Sequence, residues 1–262
     1  MNLSIRKRKI IILSAYLLFC LLFKVSTSKA ESVSVAVASN FLQPMQALAV
    51  LYENQTGIKV QVSSGSTGKL YAQIVHGAPY DLFFAANSSE PKKLEKMGNA
   101  IIGSRFTYAI GEIVLWSNLA DEKSKTDIIE ILTDSSLETL AIANPRIAPY
   151  GAAAMDVIRN LNISIKGMRI VRGENINQTW QFLRTGNADV GFIATSQLSD
   201  AENMINGYYI HIPANLYAPI EQQAVLLSSS KNKELANQFL NFIQRDDIKQ
   251  KISNFGYRLL ES

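Results

Sequence analysis

From Val33 to Phe255, short β-rich runs alternate with segments of helical periodicity, and this alternation constrains the fold more than any other feature of the chain. A strand followed by a helix and another strand favours an α/β fold with largely parallel sheets. Val33-Ser34-Val35-Ala36-Val37 reads as the first strand, and the helix after it carries Leu42, Met45, Leu48, Ala49 and Tyr52 on one face. Pro44 falls in its first turn and Gly57 just past its end. Lys59 to Ser63 is a second strand, followed by a helix marked by Leu70, Ile74 and Val75 and closed by Gly77 and Pro79. Asp81 to Ala86 is a nearly continuous apolar run of the kind buried on both faces of a sheet.

A second series follows two adjacent β-rich runs around Gly111. It comprises Leu140 to Ala143, a helix after Tyr150, Met168 to Val171, a helix after Ile176, Val190 to Ala194 and Tyr208 to Ile212. A strand from Ile220 to Leu227 then leads into terminal helices around Leu235 to Ile243 and Ile248 to Phe255. No repeat of solenoid period and no low-complexity linker interrupts the pattern. Two lobes are expected, with crossings near Ala109 to Gly111 and Ala218 to Gln222. Residues 31–110 with 220–262 form lobe 1, and residues 111–219 form lobe 2.

The first thirty residues read as a signal peptide. Arg6-Lys7-Arg8-Lys9 is a basic n-region, Ile10 to Phe23 an apolar h-region, and Ser28-Lys29-Ala30 a small-x-small cleavage site. The apolar run falls short of the roughly 20 residues a spanning helix needs. A soluble, exported protein beginning at Glu31 is expected. Lipid attachment at Leu17-Leu18-Phe19-Cys20 is disfavoured by bulky Phe19, where such sites take a small residue. Cys20 is the only cysteine, so cleavage leaves no thiol or disulfide.

Composition matters here mainly through charge. The whole chain carries a formal charge of +4, and the first thirty residues hold six cationic and no acidic side chains, so cleavage leaves −2. The basic balance belongs to the leader, and a nucleic-acid partner is not expected.

Four stretches place small polar residues at apparent helix starts, and none supplies an arginine: Ala38-Ser39-Asn40-Phe41, Gly65-Ser66-Thr67-Gly68, Pro149-Tyr150-Gly151-Ala152 and Glu174-Asn175-Ile176-Asn177. Helix N-termini offer unpaired N–H groups and partial positive charge, which suits a small oxyanion. Ordinary capping by Ser39, Asn40, Thr67 and Asn175 is the alternative. Two of the four starts fall in each expected lobe, so two facing lobes would close over one ion. The absence of arginine argues against a carboxylate ligand, which usually calls for a bidentate clamp.

Catalytic readings fare poorly. Gly65-Ser66-Thr67-Gly68-Lys69 lacks the P-loop spacing, since Ser63 stands where its first glycine belongs and Leu70 where its hydroxyl belongs. Nor is it a Gly-x-Ser-x-Gly elbow. The two histidines, His76 at a helix end and His211 in a strand, read as structural, and an exported serine hydrolase using Ser39 or Ser66 has no base near either. Metal-ligand spacings are absent, and Asp81 reads as orienting a turn.

At these residues the chain resembles the periplasmic molybdate-binding proteins of ABC transporters. Val37-Ala38-Ser39-Asn40-Phe41-Leu42-Gln43-Pro44-Met45 looks like the family's first strand-to-helix turn. Ser64 to Ile74 followed by Gly77-Ala78-Pro79-Tyr80-Asp81-Leu82-Phe83 is the most specific match. Leu140 to Pro145, Pro149-Tyr150-Gly151 and Asn187-Ala188-Asp189-Val190-Gly191-Phe192 extend it over essentially all of the chain after the leader.

The resemblance implies a two-lobed periplasmic-binding-protein fold of type II, with the ligand in the interlobe cleft. It implies a periplasmic monomer that binds molybdate and tungstate and delivers them to an inner-membrane ABC permease, without enzymatic activity or cofactor. The implied ligand residues are Ser39, Asn40, Thr67, Tyr150 and Ile176, holding the ion through its oxygens with no direct metal ligands. Ser66 is the register alternative to Thr67, and Asn40 places the chain in the branch with Asn after the first ligand hydroxyl residue. Many members carry a ligand-facing Tyr where this chain has Ala194, and Tyr150 is the expected replacement. Sulfate or phosphate in the same fold is the alternative ligand.

Overall fold

The structure, a computed structural model, describes residues 31–118, 127–198 and 207–260. The strands form two five-stranded sheets. The first contains β1 (Ser32–Ala38), β2 (Lys59–Gly65), β3 (Leu82–Ala85), β4 (Phe106–Gly111) and β10 (Ile220–Leu226), in the order β2-β1-β3-β10-β4. The second contains β5 (Ile113–Ser117), β6 (Thr139–Ala143), β7 (Arg169–Gly173), β8 (Val190–Ala194) and β9 (Tyr208–His211), in the order β7-β6-β8-β5-β9. From Ser32 onward the chain is one compact unit.

The expectation of largely parallel sheets needs correction, because both sheets are mixed. β1 runs parallel to β2 and β3, and β6 parallel to β7 and β8. β10 is antiparallel to β3 and β4, and β5 is antiparallel to β8 and β9. Parallel neighbours require crossover helices. These are α1 (Leu42–Thr56) and α2 (Thr67–Val75) in the first sheet, and α5 (Pro149–Asn160) and α6 (Ile176–Arg184) in the second, with α3 (Ser89–Lys96) following β3 and α4 (Ile128–Leu132) preceding β6. Only Glu112 separates β4 from β5, so the chain enters the second sheet without a crossover. It returns on β10, where Ile220 pairs with Gly111.

Each sheet is covered on both faces, and side-chain alternation assigns the two cores. Val33, Val35 and Val37 pack with Met45, Leu48 and Tyr52 of α1, while Ala36 packs with Leu70 and Ile74 of α2. In β3, Leu82 and Phe84 face the first core, whereas Phe83 and Ala85 face the second. The second sheet repeats this arrangement, with Ile113 and Leu115 opposite Val114 and Trp116. Burying each large apolar side chain contributes about 1.5–3 kcal/mol relative to exposure, so the central strands are the most firmly held elements. The terminal helices α7 (Lys233–Ile243) and α8 (Asp246–Asn254) close the first core. Phe239 and Phe242 of α7 meet Tyr52 at ring-centroid distances of 5.0 and 5.1 Å.

Asp81 fixes the start of β3. It accepts from the Ser34 N–H at 2.8 Å and from the Ser230 hydroxyl at 2.6 Å. Among the described residues, no helix is long and apolar enough to cross a membrane. The expected signal peptide, its cleavage site and the lipid-attachment alternative at Cys20 lie outside the described residues.

Candidate functional site

The four polar turns follow the carboxyl ends of four parallel strands. β1 ends at Ala38 and passes into a single 3-10 turn, Ser39–Phe41, while β2 ends at Gly65, one residue before Ser66 and the start of α2. β6 ends at Ala143 and the chain bends through Asn144 to Ala148 before α5, and β7 ends at Gly173 shortly before α6. Gly151 permits the bend before α5, since a Cβ there would collide with the Ala143 carbonyl. Open α/β sheets bind ligands outside such strand ends.

All four turns border one small cavity of about 10 Å³. Ser39, Asn40, Thr67, Tyr150 and Ile176 line it together with Ser66 and Asn175, and Ala38, Gly65, Ala86, Ala148 and Pro149 supply small walls. No charged side chain lines it among the described residues, and neither His76 nor His211 does. Positive potential therefore comes from the N-termini of α2, α5 and α6, each at least nine residues long. A larger cleft of about 300 Å³ lies between α1 and α6 and shares only Ser39 and Asn40 with the cavity. Its other walls are mainly long side chains such as Gln43, Gln46, Gln181 and Arg184, whereas the helix starts meet in the smaller space.

The capping alternative holds for one residue of the four. Asn175 is the N-cap of α6, and its Oδ1 accepts from the Gln178 N–H at 3.0 Å. The cap positions of the other turns are Ala38, Ser66 and Ala148, none with a side-chain cap bond. Ser39, Asn40 and Thr67 therefore do not serve as N-caps. Thr67 Oγ1 accepts from the Ala86 N–H at 3.0 Å, which leaves its own proton available. Ser66 Oγ is buried without any hydrogen-bond partner, and a buried hydroxyl in that state costs about 1–3 kcal/mol.

Behind the cavity lies a polar cluster that sequence reasoning missed. Asn40 Nδ2 donates to Gln222 Oε1 at 2.7 Å and to Tyr257 Oη at 3.0 Å. Tyr257 in turn donates to the Asn40 carbonyl at 2.8 Å and lies 3.1 Å from Ser196 Oγ. Tyr108 donates to Gln222 Oε1 at 3.0 Å, and Gln222 Nε2 donates to Tyr150 Oη at 3.2 Å. Burial, with the nearby Tyr257, Tyr108 and Tyr217 phenols adding to it, pushes the Tyr150 pKa well above the ordinary tyrosine value. Tyr150 thus stays a neutral phenol. The only sequence signal for this cluster was Gln222-Gln223, two amides inside the otherwise mainly apolar strand β10. Ala194 is buried at the end of β8, in the same core cluster as Tyr150.

Comparison with known proteins gives consistent matches over nearly the whole described chain. The profile of a family described as bacterial extracellular solute-binding protein matches residues 33–258. The molybdate-binding protein ModA of Azotobacter vinelandii is 40% identical over 253 residues, covering 96% of this chain and 97% of that protein. Its namesake in Rhodobacter capsulatus is 38% identical over 229 residues, covering 87% and 88%. The solved Azotobacter vinelandii periplasmic molybdate-binding protein superposes with a TM-score of 0.81 at 40% identity, covering 87% of this chain and 100% of that one.

Proposed function

This chain belongs to the family of bacterial extracellular solute-binding proteins, and on that premise we propose that it captures molybdate, and tungstate with it, for delivery to an ABC permease. It is a binding protein with a two-lobed periplasmic-binding-protein fold, not an enzyme. The observation that carries the ligand reading is the meeting of four polar turns, three of them starts of α-helices, on one cavity that has no charged side chain among the described residues and retains an unpartnered buried hydroxyl at Ser66. Pockets for drug-sized ligands usually run about 300–1,000 Å³, so a space of about 10 Å³ excludes ligands of that size.

A buried dianion without a countercharge is tolerated only when its oxygens are hydrogen-bonded. Ser39, Ser66 and Thr67 supply hydroxyls, Tyr150 a phenol, and Ile176 its backbone N–H. Asn40 holds its neighbours in place and offers its own N–H. Five or six charge-assisted bonds of roughly 1.5–3 kcal/mol each support micromolar or tighter binding after the costs of association. In this reading, residues 31–110 with 220–262 act as one lobe and residues 111–219 as the other. The protein works as a periplasmic monomer released from its leader after Ala30.

The test is a thermal-shift titration with molybdate, tungstate, sulfate and phosphate, since a ligand bound only by the native state raises stability as ln(1 + [L]/Kd). Stabilisation by micromolar molybdate and tungstate, with none from sulfate, is the expected result. A response to sulfate or phosphate alone would keep the oxyanion site and replace the ligand. Trp180 on α6 borders the cleft beside Ser39 and gives a parallel fluorescence readout.

A further inference from the structure

We propose that Gln222 is a positioning residue that turns the Tyr150 hydroxyl proton toward the ligand, and so favours fully ionised tetrahedral oxyanions over those that keep a proton. The inference rests on the oxyanion reading of the cavity and adds the element that sets the polarity of its phenol donor.

Gln222 is fully buried in β10 and makes a different bond with each end of its amide. Oε1 accepts from Asn40 Nδ2 at 2.7 Å, which holds the carbonyl end in place, and the Tyr108 hydroxyl, whose proton is shared with the Ala85 carbonyl, lies 3.0 Å from it. Nε2 is therefore turned toward Tyr150 Oη, at 3.2 Å, and Asn40 Nδ2 lies 3.4 Å from the same oxygen. Gln222 Nε2 thus donates to the phenol oxygen, and no acceptor for the phenol's own proton is found among the described residues, which leaves that proton for a ligand in the cavity that Tyr150 lines. Burial keeps that proton in place. Space for the pair is provided by Gly111, where a Cβ would overlap Tyr150 Oη and lie 2.8 Å from Gln222 Nε2.

The consequence is chemical selectivity. Molybdate, tungstate and sulfate are fully ionised near neutrality and only accept hydrogen bonds, whereas phosphate keeps a proton and needs an acceptor. Ser39, Ser66 and Thr67 carry rotatable hydroxyls that can serve either way. Tyr150, fixed by Gln222, serves only as a donor, which penalises the protonated ion.

The test is calorimetric titration of molybdate and phosphate into the wild type, Gln222→Glu, Gln222→Met, Tyr150→Phe and the Gln222→Glu/Tyr150→Phe double variant. A carboxylate at 222 would be met by Asn40 Nδ2, Tyr108 and Tyr150, so the phenol proton turns away from the ligand. Molybdate affinity should fall at least 100-fold in Gln222→Glu. Tyr150→Phe should cost tenfold or more alone but less than threefold in the Glu background. Charge repulsion without reorientation predicts the full Tyr150 effect in both backgrounds, and that result overturns the inference. Gln222→Met adds no charge and frees the phenol to accept, so the ratio of molybdate to phosphate affinity should narrow at least fivefold; an unchanged ratio also refutes it, even if the Glu variant fails to fold.

A wild type that binds sulfate but not molybdate removes the molybdate reading alone, and the same cycle is then run with sulfate. Intact molybdate binding without coupling between positions 222 and 150 removes only the present inference. A wild type that binds none of these ions removes both.

Discussion

The first sheet approaches the cavity with side-chain hydroxyls, Ser39, Ser66 and Thr67, whereas the second approaches it with the phenol of Tyr150 and the backbone at Ile176. Both use the same local device, a helix starting just beyond a parallel strand. The hydroxyls rotate and can settle onto whatever oxygen is nearby, but a backbone N–H is fixed by its helix and Tyr150 by its neighbours. Those neighbours, Asn40 and Gln222, belong to strands and turns of the first sheet. The Tyr150 phenol, which the proposed site takes from the second half as a donor, is thus oriented by the first half. On the proposed reading, bringing the halves together is part of building the site, so capture would be coupled to closure.

The sharpest way to break this comparison is at the joint. Gly111 ends β4, pairs with Ile220 of the returning strand, and leaves the space that Tyr150 Oη and Gln222 Nε2 occupy. Gly111→Ala inserts a methyl group into that contact while adding no charge and removing no ligand atom. Molybdate affinity by calorimetry is expected to fall by at least 100-fold, as in Gln222→Glu. Wild-type affinity in this variant would mean that Tyr150 is not held by the first half, and the comparison would collapse.

A second pair of variants separates ligation from capping. Thr67→Ala removes a cavity hydroxyl and leaves the buried Ala86 N–H without its acceptor. It should weaken molybdate binding at least tenfold and lower stability by about 1–3 kcal/mol, while the protein still folds. Asn175→Ala removes the cap that serves Gln178. It should cost about 0.5–2 kcal/mol of stability and change affinity less than threefold, because the second half binds there through backbone. Denaturant unfolding and calorimetry on the same samples measure both. Equal losses of affinity in the two variants would erase the distinction between hydroxyl and backbone donors.

How much of this was legible in the sequence follows from range. The turns at Ser39, Thr67, Tyr150 and Ile176 each announce themselves locally, through a small polar residue after a strand or a proline in the first turn of a helix, and the structure brings them together. The cluster behind them carries no such signal. Asn40 and Tyr257 lie 217 residues apart, and Asn40 and Gln222 lie 182 apart, so only the tertiary fold makes them partners. The mixed sheets were missed for a related reason. Alternation of strand and helix reports crossovers, but it does not show that β10 returns antiparallel between β3 and β4. Helix α3 escaped because only Pro91 and Leu94 are buried in it, too few to set a period.

A weak, salt-dependent effect is expected at the surface, where the two halves also touch. Lys69 of α2 pairs with Glu174, just before α6, at 3.0 Å, and their side chains are 53% and 64% exposed. Exposed pairs of this kind are worth about 0–1 kcal/mol and are screened by salt. Beside it the Gly68 N–H donates to the Ile147 carbonyl at 2.9 Å, a link that removal of the lysine side chain leaves intact. Lys69→Ala is therefore expected to weaken molybdate binding by less than about fivefold at low ionic strength, a difference of under about 1 kcal/mol that should vanish near 1 M salt. A tenfold, salt-dependent loss would instead make the surface pair the main tie between the halves. The buried cluster would then orient Tyr150 without holding the site closed, and the two roles assigned to it would have to be separated.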